Sequence, residues 1–435
     1  MKILLTIEDI SIFGGAERVV VNLANALSEQ GYEVEVLSFY QRHPNLPYTN
    51  INPSVKLFFR YNYEQSIAQE ESKKQFFKGF YYKNIHKLIL SYELKSADYD
   101  FIISSGFAYF PYFKNKKTKY IKIIHTNFHR YSSRNALFDT LAVLSTKELD
   151  IWQGYHNFVR VIPNFLPKFP SQSTNCAQKR VLAVGSLSKE KGFLRLLDIW
   201  KIVQESIKNP PYSVILSETK CSEVSIQKTE NRLLNLECQN ENCVDFFAAA
   251  TPCNPLGRCA QNDKIKVSQN DKSLDSRNDD NLTQWKLIIV GDGVLKKELE
   301  SKIKALNLQE SVILKPFTKQ IEKEYLSASI YAMTSHFEGF GMVLAEASSY
   351  ALPCVAFDVK TGPSDIIADE KSGFLVADND LQGYADKLML LMRDENLRQN
   401  FGTKAKRVVS EKFSQKTVLE LWQKLFDEIK TLDNA

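Results

Sequence analysis

The stretch Phe337-Glu338-Gly339-Phe340-Gly341-Met342-Val343-Leu344-Ala345-Glu346-Ala347 sets two carboxylates eight residues apart around a glycine-rich turn. The residues before it, Ile330-Tyr331-Ala332-Met333-Thr334-Ser335, read as a buried strand ending in small polar side chains. Those after it, Met342 to Ser349, read as the start of a helix rich in Ala. Strand, glycine turn and helix in that order leave backbone N–H groups pointing at whatever sits above the turn, and a phosphate is the natural occupant. Glu338 is expected in the loop beside that anion, with Glu346 about two helical turns further in and facing the same crevice. Taken singly, Glu338 reads as an exposed loop charge and Glu346 as an ordinary helix carboxylate.

Working outward, the same alternation fills both halves of the chain. Lys2–Ile7 reads as a strand, Ala16–Gln30 as a helix and Glu33–Phe39 as a strand, with further strands at Phe101–Ser104, Ile121–Ile124 and Ala142–Leu144. This predicts a parallel sheet with crossover helices. Val161-Ile162-Pro163-Asn164-Phe165, followed by Pro167, Pro170 and the polar run Ser171–Gln178, reads as a linker. A second alternating domain opens at Arg180–Gly185 and continues through Trp285–Val290, Val312–Leu314, Ile330–Thr334 and Pro353–Phe357. Between Asn209 and Thr283 the alternation stops, and Asn, Gln, Ser, Asp and Lys become frequent. Without that segment a helix ending near Ile207 joins the strand at Trp285 by the short connection such a domain uses, so 209–283 reads as a polar, disordered insertion.

Composition excludes several classes. At 435 residues the chain can hold two cores, its net charge is a mild +5, and it has no apolar run long enough to span a bilayer. The apolar start at Met1 is cut short by Glu8 and Asp9, so it reads as a buried strand, and a cytoplasmic location is the expectation. The positive surplus gathers in the first half, at Lys73, Lys74, Lys78, Lys83 and Lys87 among Phe76, Phe77, Phe80, Tyr81 and Tyr82, and again at Lys114, Lys116, Lys117, Lys119 and Lys122. That mixture suits an anionic membrane surface, and equally a helix with its rings turned inward. No nucleic-acid motif accompanies it, so no nucleic-acid partner is expected. Five cysteines, Cys221 to Cys259, lack metal-ligand spacing, and Asp98-Tyr99-Asp100 reads as an acidic turn before a strand; no metal site is expected.

Four further turns carry candidate chemistry. Phe13-Gly14-Gly15-Ala16-Glu17-Arg18 joins the first strand to its helix, where glycine permits close approach of a ligand; Glu17 and Arg18 read as a structural pair. His125 ends a strand, where a histidine is as often structural as functional. Gly185-Ser186-Leu187-Ser188-Lys189-Glu190-Lys191-Gly192 follows the first strand of the second domain. Ser364 or Asp365 in Thr361-Gly362-Pro363-Ser364-Asp365 could cap the helix that follows. Val290-Gly291-Asp292-Gly293 lacks the third glycine of a dinucleotide fingerprint.

The two glutamates and their surroundings resemble the E-x7-E signature of family 4 of the retaining glycosyltransferases, and Gly14-Gly15-Ala16-Glu17-Arg18 resembles the same family's first turn. The resemblance runs from Gly14 to about Gly373 with the insertion set aside. It implies an α/β chain of two Rossmann-like domains facing across a cleft (GT-B), with a polar insertion in the second domain. Residues 1–170 would form the acceptor-side domain, 171–415 the nucleotide-sugar domain and 416–435 a helix packing back toward the first domain. It implies a metal-independent transfer of a hexose or N-acetylhexosamine from a UDP-sugar, with no cofactor beyond that donor, to a glycan or lipid-linked acceptor. On this reading His125 and Glu338 contact the transferred sugar, Glu346 the donor ribose, and Lys191 with the amides of Phe340, Gly341, Met342 and Val343 the diphosphate. Gly15 would approach the donor phosphate or the acceptor, and Phe317 would line the base pocket or join the core. Ser186 departs from the pattern, since the family places Arg there. Rival readings are a nucleotide-sugar epimerase or hydrolase of the same fold, and a non-catalytic nucleotide-binding subunit.

Overall fold

A computed structural model of the chain describes residues 1–12, 14–46, 50–66, 85–126, 128–208 and 282–431. The polar segment through residue 281, its five cysteines and the aromatic-basic run from Lys73 to Lys83 lie outside the described residues.

In the first half, strands β1 (Lys2–Asp9), β2 (Glu33–Tyr40), β3 (Lys56–Phe59), β4 (Phe101–Ser105), β5 (Lys119–Ile124), β6 (Thr140–Val143) and β7 (Val159–Val161) form one parallel sheet in the order β3-β2-β1-β4-β5-β6-β7. Helices α1 (Gly15–Glu29), α2 (His86–Leu94) and α3 (Thr146–Gln153) belong to this half, with a 3₁₀ turn at Ser133–Leu137. In the second half, β8 (Arg180–Val184), β9 (Lys286–Val290), β10 (Val312–Lys315), β11 (Ile330–Met333), β12 (Cys354–Asp358) and β13 (Gly373–Ala377) pair in the order β10-β9-β8-β11-β12-β13. Among the described residues the helices there are α4 (Phe193–Lys208), α5 (Lys296–Ala305), α6 (Ile321–Leu326), α7 (Met342–Ser349), α8 (Pro363–Ile366), α9 (Leu381–Arg393), α10 (Glu395–Lys412) and α11 (Gln415–Thr431).

The chain therefore has the two Rossmann-like domains that the alternation predicts. The central strands are buried on both faces because helices cover both. Along β5, for example, Ile121 and Ile123 join one core cluster while Tyr120 joins another. In each sheet the strand order reverses beside the domain's own first strand, between β1 and β4 and between β8 and β11. Open sheets of this kind take ligands at such reversals, beyond the carboxyl ends of the strands.

Two elements differ from expectation. Val161 does not begin a linker: Val159–Val161 is the edge strand β7, and Ile162, Phe165 and Leu166 are buried behind it. β3 has an alternating, half-exposed pattern that its short length hides in the sequence. Asp98-Tyr99-Asp100 is structural, with Asp100 accepting from the Lys2 N–H at 2.7 Å and Tyr99 donating to Glu35.

The last helix packs on the first domain. Phe426 of α11 is fully buried, its ring centroid 4.4 Å from that of Phe101 on β4. Burying one such ring contributes about 2–3 kcal/mol. Arg160 Nε holds Glu428 at 2.8 Å, and the Tyr32 hydroxyl donates to Gln423. The chain crosses between domains where the Leu166 N–H donates to the Phe413 carbonyl at 2.9 Å, beside a bridge from Leu166 to Ser414.

Candidate functional site

At the strand-order reversal of the second sheet, two loops meet. After β8 the chain makes a 3₁₀ turn at Lys189–Lys191 and passes through Gly192 at φ 64°. A Cβ on Gly192 would lie 1.9 Å from the Thr334 carbonyl oxygen, so glycine is required for this loop to pack on the end of β11. The His336 N–H donates to the Glu190 carbonyl at 2.8 Å and joins the two loops a second time. Arg195, buried on α4, braces the same loop from behind: its Nε donates to the Thr334 carbonyl at 2.7 Å, and its guanidinium lies 4.1 Å over the Phe357 ring.

This packing brings the Lys191 ammonium to 2.6 Å from Glu338 Oε1, which also accepts from Ser335 Oγ at 2.7 Å. The Glu338 side chain is only 9% exposed, so it is a buried, doubly satisfied carboxylate and not the loop charge a single-residue reading suggests. Gly341, at φ 91°, opens α7, and the helical N–H groups of Met342 and Val343 stand at its start, where no carbonyl lies a turn behind them. Phe340 is buried against Phe413, with ring centroids 5.0 Å apart, so what it can offer a ligand is its backbone. Glu346 is not free in the crevice. Its Oε2 accepts from the Tyr325 hydroxyl at 3.1 Å, and its Oε1 pairs with the guanidinium of Arg18 from the other domain. Arg18 thus reaches beyond its own turn, to a carboxylate of the other domain. Ser186 and Lys189 are exposed, and Phe317 is 56% exposed and so outside the core.

On the facing side, Gly14 and Gly15 open α1. A Cβ on Gly14 would meet the Glu17 carboxylate at 2.0 Å, whereas Gly15 has open space beside it, one helical turn from Arg18. Burial holds the Glu17 carboxyl above its ordinary value, with Asp9 and Glu8 adding to the effect. His125 follows β5, with Nε2 2.6 Å from Ser105 Oγ. Burial, and then the charge of Lys122, push its pKa down to about 4.

The two sides touch. A Cβ on Gly339 would lie 1.9 Å from the His125 carbonyl oxygen, so the Glu338 loop rests directly on the His125 backbone. The His129 and Phe337 rings meet edge to face at 6.1 Å. Asp365 does not cap its own helix α8; it accepts from the Thr146 hydroxyl at 2.6 Å, from the Thr146 N–H at 3.2 Å and from Ser145, at the start of α3 across the cleft. Lys147 reaches Asp358 at 2.7 Å. Among the described residues, no group of three His, Cys, Asp or Glu is placed to hold a metal ion.

Comparison with known proteins agrees with this architecture. The family profile "Glycosyltransferase Family 4" matches residues 13–167, and "Glycosyl transferases group 1" matches residues 272–408. The chain belongs to the family 4 and group 1 glycosyltransferases. Within that family it is 28% identical to the amylovoran biosynthesis glycosyltransferase AmsD of Erwinia amylovora, over 98% of this chain and 99% of the relative. It is 37% identical over 33% of this chain to the poly(ribitol-phosphate) alpha-N-acetylglucosaminyltransferase of Staphylococcus aureus, covering 29% of that protein. Its fold matches that of S. aureus TarM, solved with fondaparinux, alpha-GlcNAc-glycerol and UDP, with a TM-score of 0.67 at 16% identity, over 98% of this chain and 99% of that one. This is a glycosyltransferase of the GT-B class.

Of the residues read from the sequence, Lys191 and Glu338 are in contact, Gly341, Met342 and Val343 adjoin them, and His125 meets them through Gly339. Arg18, Asp365 and Arg195 carry contacts that the sequence does not announce. Arg18 lies inside the Gly-Gly-Ala-Glu-Arg turn, but its partner lies 328 positions away and nothing local marks it.

Proposed function

We propose that the chain transfers a hexose or N-acetylhexosamine from a UDP-sugar to a hydroxyl of a glycan or lipid-linked acceptor, with retention at the anomeric carbon. The product would be a cell-surface polysaccharide or lipopolysaccharide. The observation that carries this reading is the Lys191–Glu338 pair at the strand-order reversal, beside the start of α7, in a loop whose Gly339 rests on the His125 backbone across the cleft. The activities of the two relatives, amylovoran synthesis and N-acetylglucosaminyl transfer to a phosphate polymer, support the acceptor class, and the UDP bound to TarM supports the donor.

The donor diphosphate docks over Gly341, where the Met342 and Val343 amides and the Lys191 ammonium offset the charge it gains as the C1–O bond breaks. This transfer of Lys191 from Glu338 to phosphate frees the Glu338 carboxylate to hold sugar hydroxyls. Glu346 takes the ribose hydroxyls, exchanging them for Arg18. Gly15 leaves room for the donor phosphate or the acceptor beside α1. The acceptor hydroxyl adds to C1 on the face the diphosphate leaves, and its proton passes to the departing diphosphate oxygen. His125, neutral at physiological pH, holds a sugar hydroxyl together with Ser105. Because Lys191 and the amides offset the leaving charge, the reaction needs no metal and no cofactor beyond the UDP-sugar.

Leu88, Tyr92 and Phe113 are exposed on one side of the first domain, with Tyr92 edge to face on Phe113 at 5.6 Å and Lys114 next in sequence. That side would rest on an anionic membrane surface at the cytoplasmic face. Among the described residues, no helix is long and apolar enough to cross a membrane. UDP release from a panel of UDP-sugars, with and without membrane extract, tests the reading. Extract-dependent turnover of one donor that is lost in Glu338→Ala supports it. Release without acceptor would instead indicate a hydrolase or epimerase.

A further inference from the structure

We propose that Lys122 forms a phosphate-binding subsite for the acceptor in the first domain; the assignment of the ligand to the acceptor rests on the transferase reading above. Lys122 lies on β5, three residues before His125. It is 3% exposed, and its Nζ has no hydrogen-bond partner among the described residues. A buried, unpartnered ammonium opposes folding, and a chain retains one where a ligand supplies the missing partner.

The surroundings fit an anion. Phe110, Phe107 and Phe138 enclose the ammonium, with ring centroids 4.5, 4.9 and 5.4 Å away. Two further cations, Lys87 and Arg134, sit over the same Phe110 ring at 5.3 and 5.5 Å. Ring faces offset part of the desolvation of a cation, but they leave its hydrogen-bond donors unused. Burial, and then the like charges of Lys87 and Arg134, lower the Lys122 pKa to about 8. A phosphate entering this cluster meets three positive charges and satisfies the orphaned donors at once.

Access and position also fit. Phe107 is 64% exposed and covers the ammonium from outside; it follows Gly106, which has φ 100° and open space around it. Swinging this ring aside uncovers Lys122. Lys122 precedes His125 by three residues in the chain, and after burial its charge is the second influence that lowers the His125 pKa. A phosphate at Lys122 therefore suits an acceptor that carries a phosphomonoester, phosphodiester or diphosphate. A membrane headgroup offers the same chemistry, but the ammonium is recessed beneath a ring, which favours a phosphate carried on the acceptor.

The test uses the whole chain saturated with UDP, so that the donor anion site is filled. Inorganic pyrophosphate is titrated by calorimetry into wild type, Lys122→Met and Arg134→Gln. Wild type is expected to bind it, with affinity about tenfold or more lower in Lys122→Met and reduced in Arg134→Gln, UDP affinity being unchanged in both. Phe107→Ala is expected to tighten binding by uncovering the ammonium. Absence of binding to wild type, or affinities within about twofold in both charge variants, overturns the subsite. Should Lys122→Met fail to fold, the exposed Arg134→Gln decides the question by the same criterion. Lys122-dependent binding of phosphatidylglycerol vesicles, with pyrophosphate indifferent to the substitution, would overturn the acceptor assignment in favour of a lipid headgroup. If UDP does not bind, the transferase reading fails separately, and the pyrophosphate titration still reports on Lys122.

Discussion

The Lys191 ammonium rests on Glu338 in the free protein, and under the proposed function it would pass to the departing diphosphate during transfer. Lys191→Met is therefore expected to lower kcat by about 10²–10³-fold with the fold intact, measured as UDP release at saturating donor. His125 and Lys122 make opposite pH statements. His125 is neutral in the fold down to about pH 4, whereas the unfolded chain protonates it near 6.5, so its effect is nil above 6.5 and costs stability as pH falls from there to 4. Imidazole NMR shifts should show no titration of His125 between pH 5 and 8; a midpoint near 6.5 would sink this. Lys122, about 8 in the fold against 10.5 unfolded, destabilises in full below pH 8 and is relieved as pH rises toward 10.5. Lys122→Met should accordingly be more stable than wild type at pH 7, by up to about 3 kcal/mol, with the gap closing near pH 10; urea unfolding at both values checks it. Glu338 and Glu346 stand out in the sequence by their spacing around a glycine-rich turn, and Lys191 only by resemblance to the family pattern; the Lys191–Glu338 contact itself is visible only in the fold. Arg18 and Asp365 do not stand out, because they act on partners in the other domain and carry no local period.

Elements were read best where the apolar run is long. β1, β2 and α1 differ from their sequence reading by a residue or two at the ends. β7 has three residues and a proline soon after, which together imitate a linker; only pairing with β6 makes it a strand. α11 shows what pairing energy can rest on one helix. Val418, Trp422, Phe426 and Ile429 share one buried face, spaced as a helix requires, and Phe426 packs on Phe101 and Tyr32. Phe426→Ala is expected to cost about 3–5 kcal/mol, measured by denaturant unfolding. A loss below about 1 kcal/mol would mean that α11 is held by its polar contacts, Arg160 to Glu428 and Tyr32 to Gln423.

For the whole molecule, the cleft is closed by a glycine with no room to spare. Gly339→Ala would place a methyl group 1.9 Å from the His125 carbonyl oxygen and should hold the two halves apart. Transfer is expected to fall about tenfold or more while UDP binding persists, and small-angle scattering should show a larger radius with UDP bound. An unchanged radius and rate would show that this contact does not govern closure. The path of the chain has a consequence for its manufacture as well. The face of β4 that carries Phe101 is covered by Phe426, and the helix bearing Phe426 begins at Gln415, after the whole second domain. Chains emerge from the ribosome amino end first, and domains generally fold in that order. Here the early half leaves the ribosome with part of its apolar interior still bare, and must wait through the synthesis of its neighbour for the segment that seals it. The half of the protein that is made first is therefore the half completed last, and a chaperone that shields exposed apolar surface would have its longest task at Phe101.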